Sequence, residues 1–274
     1  MSSPVIDAHT HLHPPRLFAA IRRWFAERSS WDISVHPTEP PAVADCLRRA
    51  GVDRFIFFSY AHRTGIAREL NAWLVETSRS LDRFGIPLGT VHLDDPAYLE
   101  DARLALEAGC AGFKIHEDVQ RLALDDERVI PVFEMVEAHG GAVVAHVGPI
   151  PWDYLPGAGL ERVRRVLTRH PRLSLIVAHL GVPDTSAYFA LMDAFPNLYL
   201  DTTMLLAASS PIRPPVDLLP IGTFATRVLY GTDFPNIPYA YESERSGLTK
   251  LGFGPEVEAA VLGGNAARIF ARFL

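Results

Sequence analysis

Cysteine is scarce in this chain: only Cys46 and Cys110 occur, far apart and in apolar surroundings. That argues against a disulfide framework or a thiolate metal site, and the two read as small buried hydrophobes in a reducing compartment. No basic stretch followed by an apolar one opens the sequence, so no secretory leader is expected. No apolar run approaches the ~20 residues of a membrane span. Blocks of positive charge are also missing. Arg164 and Arg165 make only a short pair, and the net charge is −6, which counts against a nucleic-acid partner. With 48% hydrophobic and 21% charged residues, the composition is that of an ordinary soluble protein, and a cytoplasmic location is the expectation.

What is present is an alternation. Short apolar runs occur at Val5–His11, Arg54–Tyr60, Pro87–Leu93, Gly112–His116, Ala142–Val147, Leu173–His179, Leu198–Thr202 and Val228–Thr232. Several are continuously apolar, such as Phe55-Ile56-Phe57-Phe58, as expected of strands buried on both faces. Amphipathic stretches separate them: Pro41–Ala50, Gly65–Phe84, Pro96–Ala108, Asp126–His139, Leu160–His170 and Pro183–Phe195. Gly51, Gly85, Gly109 and Gly140 stand where helix C-caps are expected. Alternating strands and helices imply a parallel sheet, and eight of them in 274 residues predict a single-domain α/β structure over 1–274, a closed (β/α)8 TIM barrel. A doubly wound sheet is the alternative, but it would want a Gly-rich phosphate turn after the first strand, and a His pair stands there instead. Leu12–Pro40 and Leu205–Ile221 read as long loops on the C-terminal side of strands, where barrel active sites are shaped.

The chemistry gathers at the same ends. His9 and His11 close the first run; residues two apart on a strand share a face, and two imidazoles side by side suit a divalent metal. His92 falls in the third run, Lys114 and His116 in the fourth, His146 in the fifth and His179 in the sixth, while Asp233 follows the eighth. In a parallel barrel all of these ends converge on one mouth. Asp7 is expected to share the inward face with His9 and His11 and to anchor the barrel floor. Asp201 ends the seventh run and is placed to orient a ligand. Asn265 reads as an N-cap for the last helix.

The motifs Asp7-Ala8-His9-Thr10-His11, Gly112-Phe113-Lys114-Ile115-His116, Ala145-His146-Val147-Gly148, Ala178-His179-Leu180-Gly181, Gly231-Thr232-Asp233-Phe234-Pro235 and Gly264-Asn265-Ala266-Ala267-Arg268-Ile269-Phe270 resemble, in that order, the amidohydrolase superfamily. The likeness is strongest to its amidohydrolase-2 group, which contains lactone and amide hydrolases and the aminocarboxymuconate-semialdehyde decarboxylase type. The resemblance implies one divalent metal, with zinc the expected ion, held by His9, His11, His146 and Asp233, with an open position for water. It implies that Asp233 and His179 are catalytic and move protons. For Lys114 it leaves two readings: a carboxylated lysine bridging a second metal, or, the preferred one, an ammonium that binds a substrate carboxylate.

His116, His92, Trp152 and Tyr154 are candidate substrate contacts. Packing beneath a loop explains the two aromatics equally well, as it does Trp24 and Trp31. His13, His36, His62, His139 and His170 need no special role. The expected activity is metal-dependent hydrolysis of a small lactone, cyclic amide or ester, with non-oxidative decarboxylation of an unsaturated or aromatic acid as the alternative. The expected partner is a carboxylate-bearing small molecule, with no nucleic acid and no membrane, and a homo-oligomer is left open. A metal-dependent nuclease of the TatD type and a barrel that has lost catalysis are the remaining readings, the first disfavoured by the negative charge.

Overall fold

The computed structural model describes residues 3–147, 158–212 and 217–274. Its strands are β1 (Ile6–His11), β2 (Arg54–Phe58), β3 (Gly85–Pro87), β4 (Gly112–His116), β5 (Ala142–His146), β6 (Ser174–Val177), β7 (Leu198–Asp201) and β8 (Val228–Leu229). Every pairing is parallel. The ladder runs in two arcs, β1-β2-β3 and β4 through β8, and two seams close them into a barrel. At one seam Thr10 bridges Phe234, and at the other Gly89 bridges Phe113. The backbone N–H of His11 donates to the Phe234 carbonyl and that of Lys114 to the Gly89 carbonyl, at 2.8 and 2.9 Å.

Burial follows from the continuous apolar runs. Phe55, Ile56, Phe57 and Phe58 of β2 are all fully buried, alternately between barrel and helices and inside the barrel. Ile56, Phe58, Val144, Ile176 and Leu229 form the interior core with Ile6 and Ala8. Ala266 and Phe270 of the C-terminal segment pack into it as well, so that segment covers the barrel floor. Asn265 donates its side-chain N–H groups to the carbonyls of Ala225 and Val228, both at 2.7 Å. It is already helical, in a continuous turn running on from Gly264. It therefore staples the last helix to β8 rather than capping it.

β1 departs from simple alternation. Asp7 pairs with Phe55 and Thr10 with Phe57, so three steps along β1 face two along β2. This is a β-bulge at Ala8 and His9, and it reverses which residues face inward beyond it. Ile6 and Ala8 lie inside, with His9 and His11. Asp7 lies on the other face, where its carboxylate accepts from Thr232 Oγ1 at 2.6 Å and from Tyr241 Oη at 3.1 Å. The inward placement expected of Asp7 is thus corrected: it braces β1 against β8 from outside.

Other expectations shift as well. Leu12–Pro40 is not mainly loop, because Pro15–Arg28 is a helix with proline in its first turn, where the missing N–H costs nothing. Gly85 is not a helix C-cap; the preceding helix ends at Ser80, and Gly85 opens β3, where a Cβ would meet the Phe55 ring at 2.6 Å. β3 lies earlier than Pro87–Leu93. Past Pro87 the backbone turns to side-chain partners, with the Asn71 amide bonding both N–H and carbonyl of Thr90 at 2.8 and 2.9 Å.

Candidate metal centre

The bulge in β1 presents His9 and His11 into the mouth, and the turn after β8 brings Asp233 to them. Asp233 Oδ1 lies 3.2 Å from His9 Nε2 and 2.9 Å from His11 Nε2. One donor atom from each of these three residues lies within 4.8 Å of the others. Both histidines are buried, whereas Asp233 keeps 16% of its side chain exposed, which is the open side of the cradle. Two imidazole nitrogens and a carboxylate oxygen are a donor set that zinc takes readily.

The tautomer is prepared for this. His9 Nδ1 lies 2.7 Å from Asp201 Oδ2, so Nδ1 carries a proton and Nε2 is the nitrogen turned to the cradle. Asp201 Oδ1 accepts the backbone N–H of His179 at 2.8 Å and that of Thr203 at 3.2 Å. His179 follows β6 in a left-handed conformation, φ 55 and ψ 37, and Asp233 is left-handed too, with φ 72. Such backbone costs on the order of 1–3 kcal/mol and persists where its surroundings hold it. Asp201 holds His179, and the His9 carbonyl holds the Asp233 N–H at 2.8 Å.

The remaining strand ends form a wall of imidazoles. His146 stacks on His116 with ring centres 4.1 Å apart and planes within 7°. It meets His179 edge-on at 4.9 Å, and His179 lies 5.4 Å from His9. Among the described residues the donors that converge are those of His9, His11 and Asp233, while His146 stands beside His179 in this wall. His179 Nδ1 lies 3.1 Å from the Thr203 carbonyl, which places its proton there and leaves Nε2 free as an acceptor. Lys114 is fully buried, with Nζ 3.4 Å from His9 Nε2 and 4.5 Å from the centre of the Phe58 ring. It is one of only two lysines in the chain.

Burial pulls His116, His146 and His179 below the ordinary imidazole range and takes His11 down to about 4, so all four present neutral rings at pH 7. His9 differs. Burial and Lys114 pull it down, but Asp201 and Asp233 outweigh them and raise it. Burial raises Asp233, but His11 and His9 overcome that and hold its carboxyl well below the usual range. Burial pushes Lys114 down to about 8.

His92 lies beyond β3 rather than on it, and its Nδ1 meets the Asp94 backbone N–H at 3.4 Å. Trp152 and Tyr154 lie outside the described residues. Trp31 stacks on Phe25 at 6.0 Å and packs with the core beneath the first loop. Two residues join the site without having been singled out. His13 is buried, 2.7 Å from Ser59 Oγ and stacked on His11 at 5.5 Å. Tyr60, half-buried, places Oη 3.1 Å from His11 Nε2. Tyr60 ends the second apolar run, so the strand-end rule that found the other residues also pointed to it.

The family profile described as Amidohydrolase matches residues 6–272. No curated protein matches. Among solved structures, the chain is similar to an uncharacterized TIM-barrel protein from Bordetella bronchiseptica, with 21% identity, TM-score 0.74, and 98% of this chain and 99% of that one covered. It is similar to 5-carboxyvanillate decarboxylase from Sphingomonas paucimobilis, with 20% identity, TM-score 0.68, and 98% and 99% covered. A third is described as a probable 2-pyrone-4,6-dicarboxylic acid hydrolase, from Acinetobacter baumannii with citric acid bound. It has 13% identity and TM-score 0.66, with 97% and 99% covered. At these identities the likeness shows the fold.

Proposed function

The chain belongs to the amidohydrolase family, and on that premise we propose that it is a metal-dependent hydrolase of a small carboxylate-bearing molecule, opening a lactone, cyclic amide or ester. The observation that carries this reading is the convergence of His9 Nε2, His11 Nε2 and Asp233 Oδ1 with the buried Lys114 Nζ 3.4 Å from His9. A divalent ion, zinc by the donor set, would acidify water and polarise the scissile carbonyl.

The chain's own residues divide the rest. His9, His11 and Asp233 would hold the ion, with His146 as a further donor. Asp233 also accepts the proton that water gives up. His179, neutral and with Nε2 free, takes that proton from Asp233 and carries it to the departing oxygen or nitrogen. Water's oxygen bonds to the acyl carbon, the C–O or C–N bond breaks, and the leaving group takes the proton. The Lys114 ammonium pairs with the substrate carboxylate, since a buried cation beside the cradle favours an anionic partner. His116, stacked on His146, lines the same wall.

Likeness to a solved decarboxylase favours a second reading, in which the same cradle seats an unsaturated or aromatic acid and a proton replaces carbon dioxide on carbon. One experiment separates the two: zinc-loaded protein is incubated with a panel of small lactones, cyclic amides and aromatic acids, and acid release and carbon dioxide are both measured. Ring opening supports hydrolysis and carbon dioxide release supports the second reading. Neither product from metal-loaded protein across the panel counts against both.

A further inference from the structure

We infer that Tyr60 is a further catalytic residue, its hydroxyl donating a hydrogen bond to the substrate oxygen that gains negative charge when the acyl carbon is attacked. This rests on the metal-dependent reading above. Tyr60 Oη lies 3.1 Å from His11 Nε2, the same nitrogen that lies 2.9 Å from Asp233 Oδ1. The hydroxyl therefore stands on the rim of the three-atom cradle beside His11, while Lys114 stands beside His9.

Its position is fixed from two sides. The Tyr60 ring packs on His11 at 5.3 Å with a 46° tilt and edge-on against His116 at 5.3 Å and 89°, so it is wedged between the ends of β1 and β4. A ring nitrogen has one lone pair. An ion held by His11 Nε2 uses that pair, and the hydroxyl then loses this acceptor while still facing the cradle.

As water's oxygen bonds to the carbonyl carbon, the C=O π pair moves onto the carbonyl oxygen, and Tyr60 Oη–H donates to that oxygen. The proton stays on tyrosine. When the pair returns, the bond to the leaving group breaks and His179 supplies the leaving group's proton. A preorganised donor aimed at developing charge is worth on the order of 100-fold in rate.

The test uses the full chain, wild type and Tyr60→Phe, loaded with zinc and titrated with acetohydroxamate as an anionic oxygen probe. Both proteins are expected to melt together and to bind zinc within about threefold of each other by chelator competition, with the probe about tenfold weaker on Tyr60→Phe. Equal probe affinity on two zinc-loaded proteins overturns the role of Tyr60 and leaves the metal centre standing. Loss of zinc from Tyr60→Phe overturns it as well, because the hydroxyl would then serve to hold the ion. Failure of the wild type itself to bind zinc overturns the metal-dependent reading, and this proposal with it.

Discussion

Asp201 and His9 meet at 2.7 Å, carboxylate oxygen to Nδ1, with both side chains essentially removed from water. They are 192 residues apart in the chain, yet this contact decides which nitrogen of His9 faces the cradle. The other oxygen of the same carboxylate holds the His179 backbone in its left-handed turn. One side chain thus sets a candidate metal ligand and the neighbouring His179, the proposed proton carrier, together.

Replacing Asp201 with alanine should therefore weaken zinc binding about 10–100-fold, the usual effect of losing the partner that orients a ligating histidine. Chelator competition measures this. Nitrogen-15 spectra of the metal-free protein should also show His9 losing its Nδ1–H tautomer. An unchanged tautomer would count against the assignment.

The three cradle residues should differ from His146. His9→Ala, His11→Ala and Asp233→Ala should each lower zinc affinity by at least about 100-fold, since each removes a donor from a small set. His146→Ala should cost about tenfold or less, because its donor is not among the three that converge. Equal losses in all four proteins would move His146 to the centre of the site.

Lys114 decides between one ion and two. As an ammonium, it should leave a metal-to-protein ratio near one and give no carbamate signal after addition of carbon-13 bicarbonate. With a single other lysine in the chain, the spectrum is simple to read. Lys114→Met should keep its zinc but bind small carboxylates about tenfold more weakly. A ratio near two that requires bicarbonate would establish the bridging form.

Glu244 should make stability depend on pH. It is buried, it accepts the Leu206 backbone N–H at 3.0 Å and the Tyr239 hydroxyl proton, and burial pushes it from 4.5 up to about 7. Between those values the folded chain keeps a proton that the unfolded chain has lost, so this group's contribution to stability falls as pH rises, and it levels off above about 7. Glu244→Gln retains the carbonyl acceptor and never ionises. Its melting temperature should exceed that of the wild type at pH 8 and match it at pH 4.5. The same difference at both pH values would assign the effect to packing.

Gly112→Ala should fail to fold or lose more than about 3 kcal/mol in denaturant titration. Gly112 has φ 137, and a Cβ there would lie 1.8 Å from the Ala142 carbonyl oxygen. It opens β4, so the backbone shift needed to relieve that clash would pass to Lys114 and His116.

The barrel was legible because its causes are local. Continuous apolar runs mark strands buried on both faces, and polar residues at their ends mark the mouth, so His9, His11, Lys114, His116, His146, His179 and Asp233 were all found by position alone. Tyr60, at the end of the second apolar run, obeys the same rule. His92 falls beyond β3 rather than on it, because β3 gives way after Pro87 to bonds with the Asn71 side chain, a partner 19 residues away that strand periodicity does not register.

By itself, then, the sequence determined the order of strands and helices and which side chains stand near the active face, because both follow from hydrophobic period and chain direction. Only the tertiary structure decided the geometry among them. The bulge at Ala8 and His9 arises from pairing with β2, and it turned Asp7 outward and His9 inward. The contacts of Asp201 with His9 and of Tyr60 with His11 join strands 192 and 49 residues apart. Such contacts depend on strand register and barrel closure, which no run of neighbouring residues encodes.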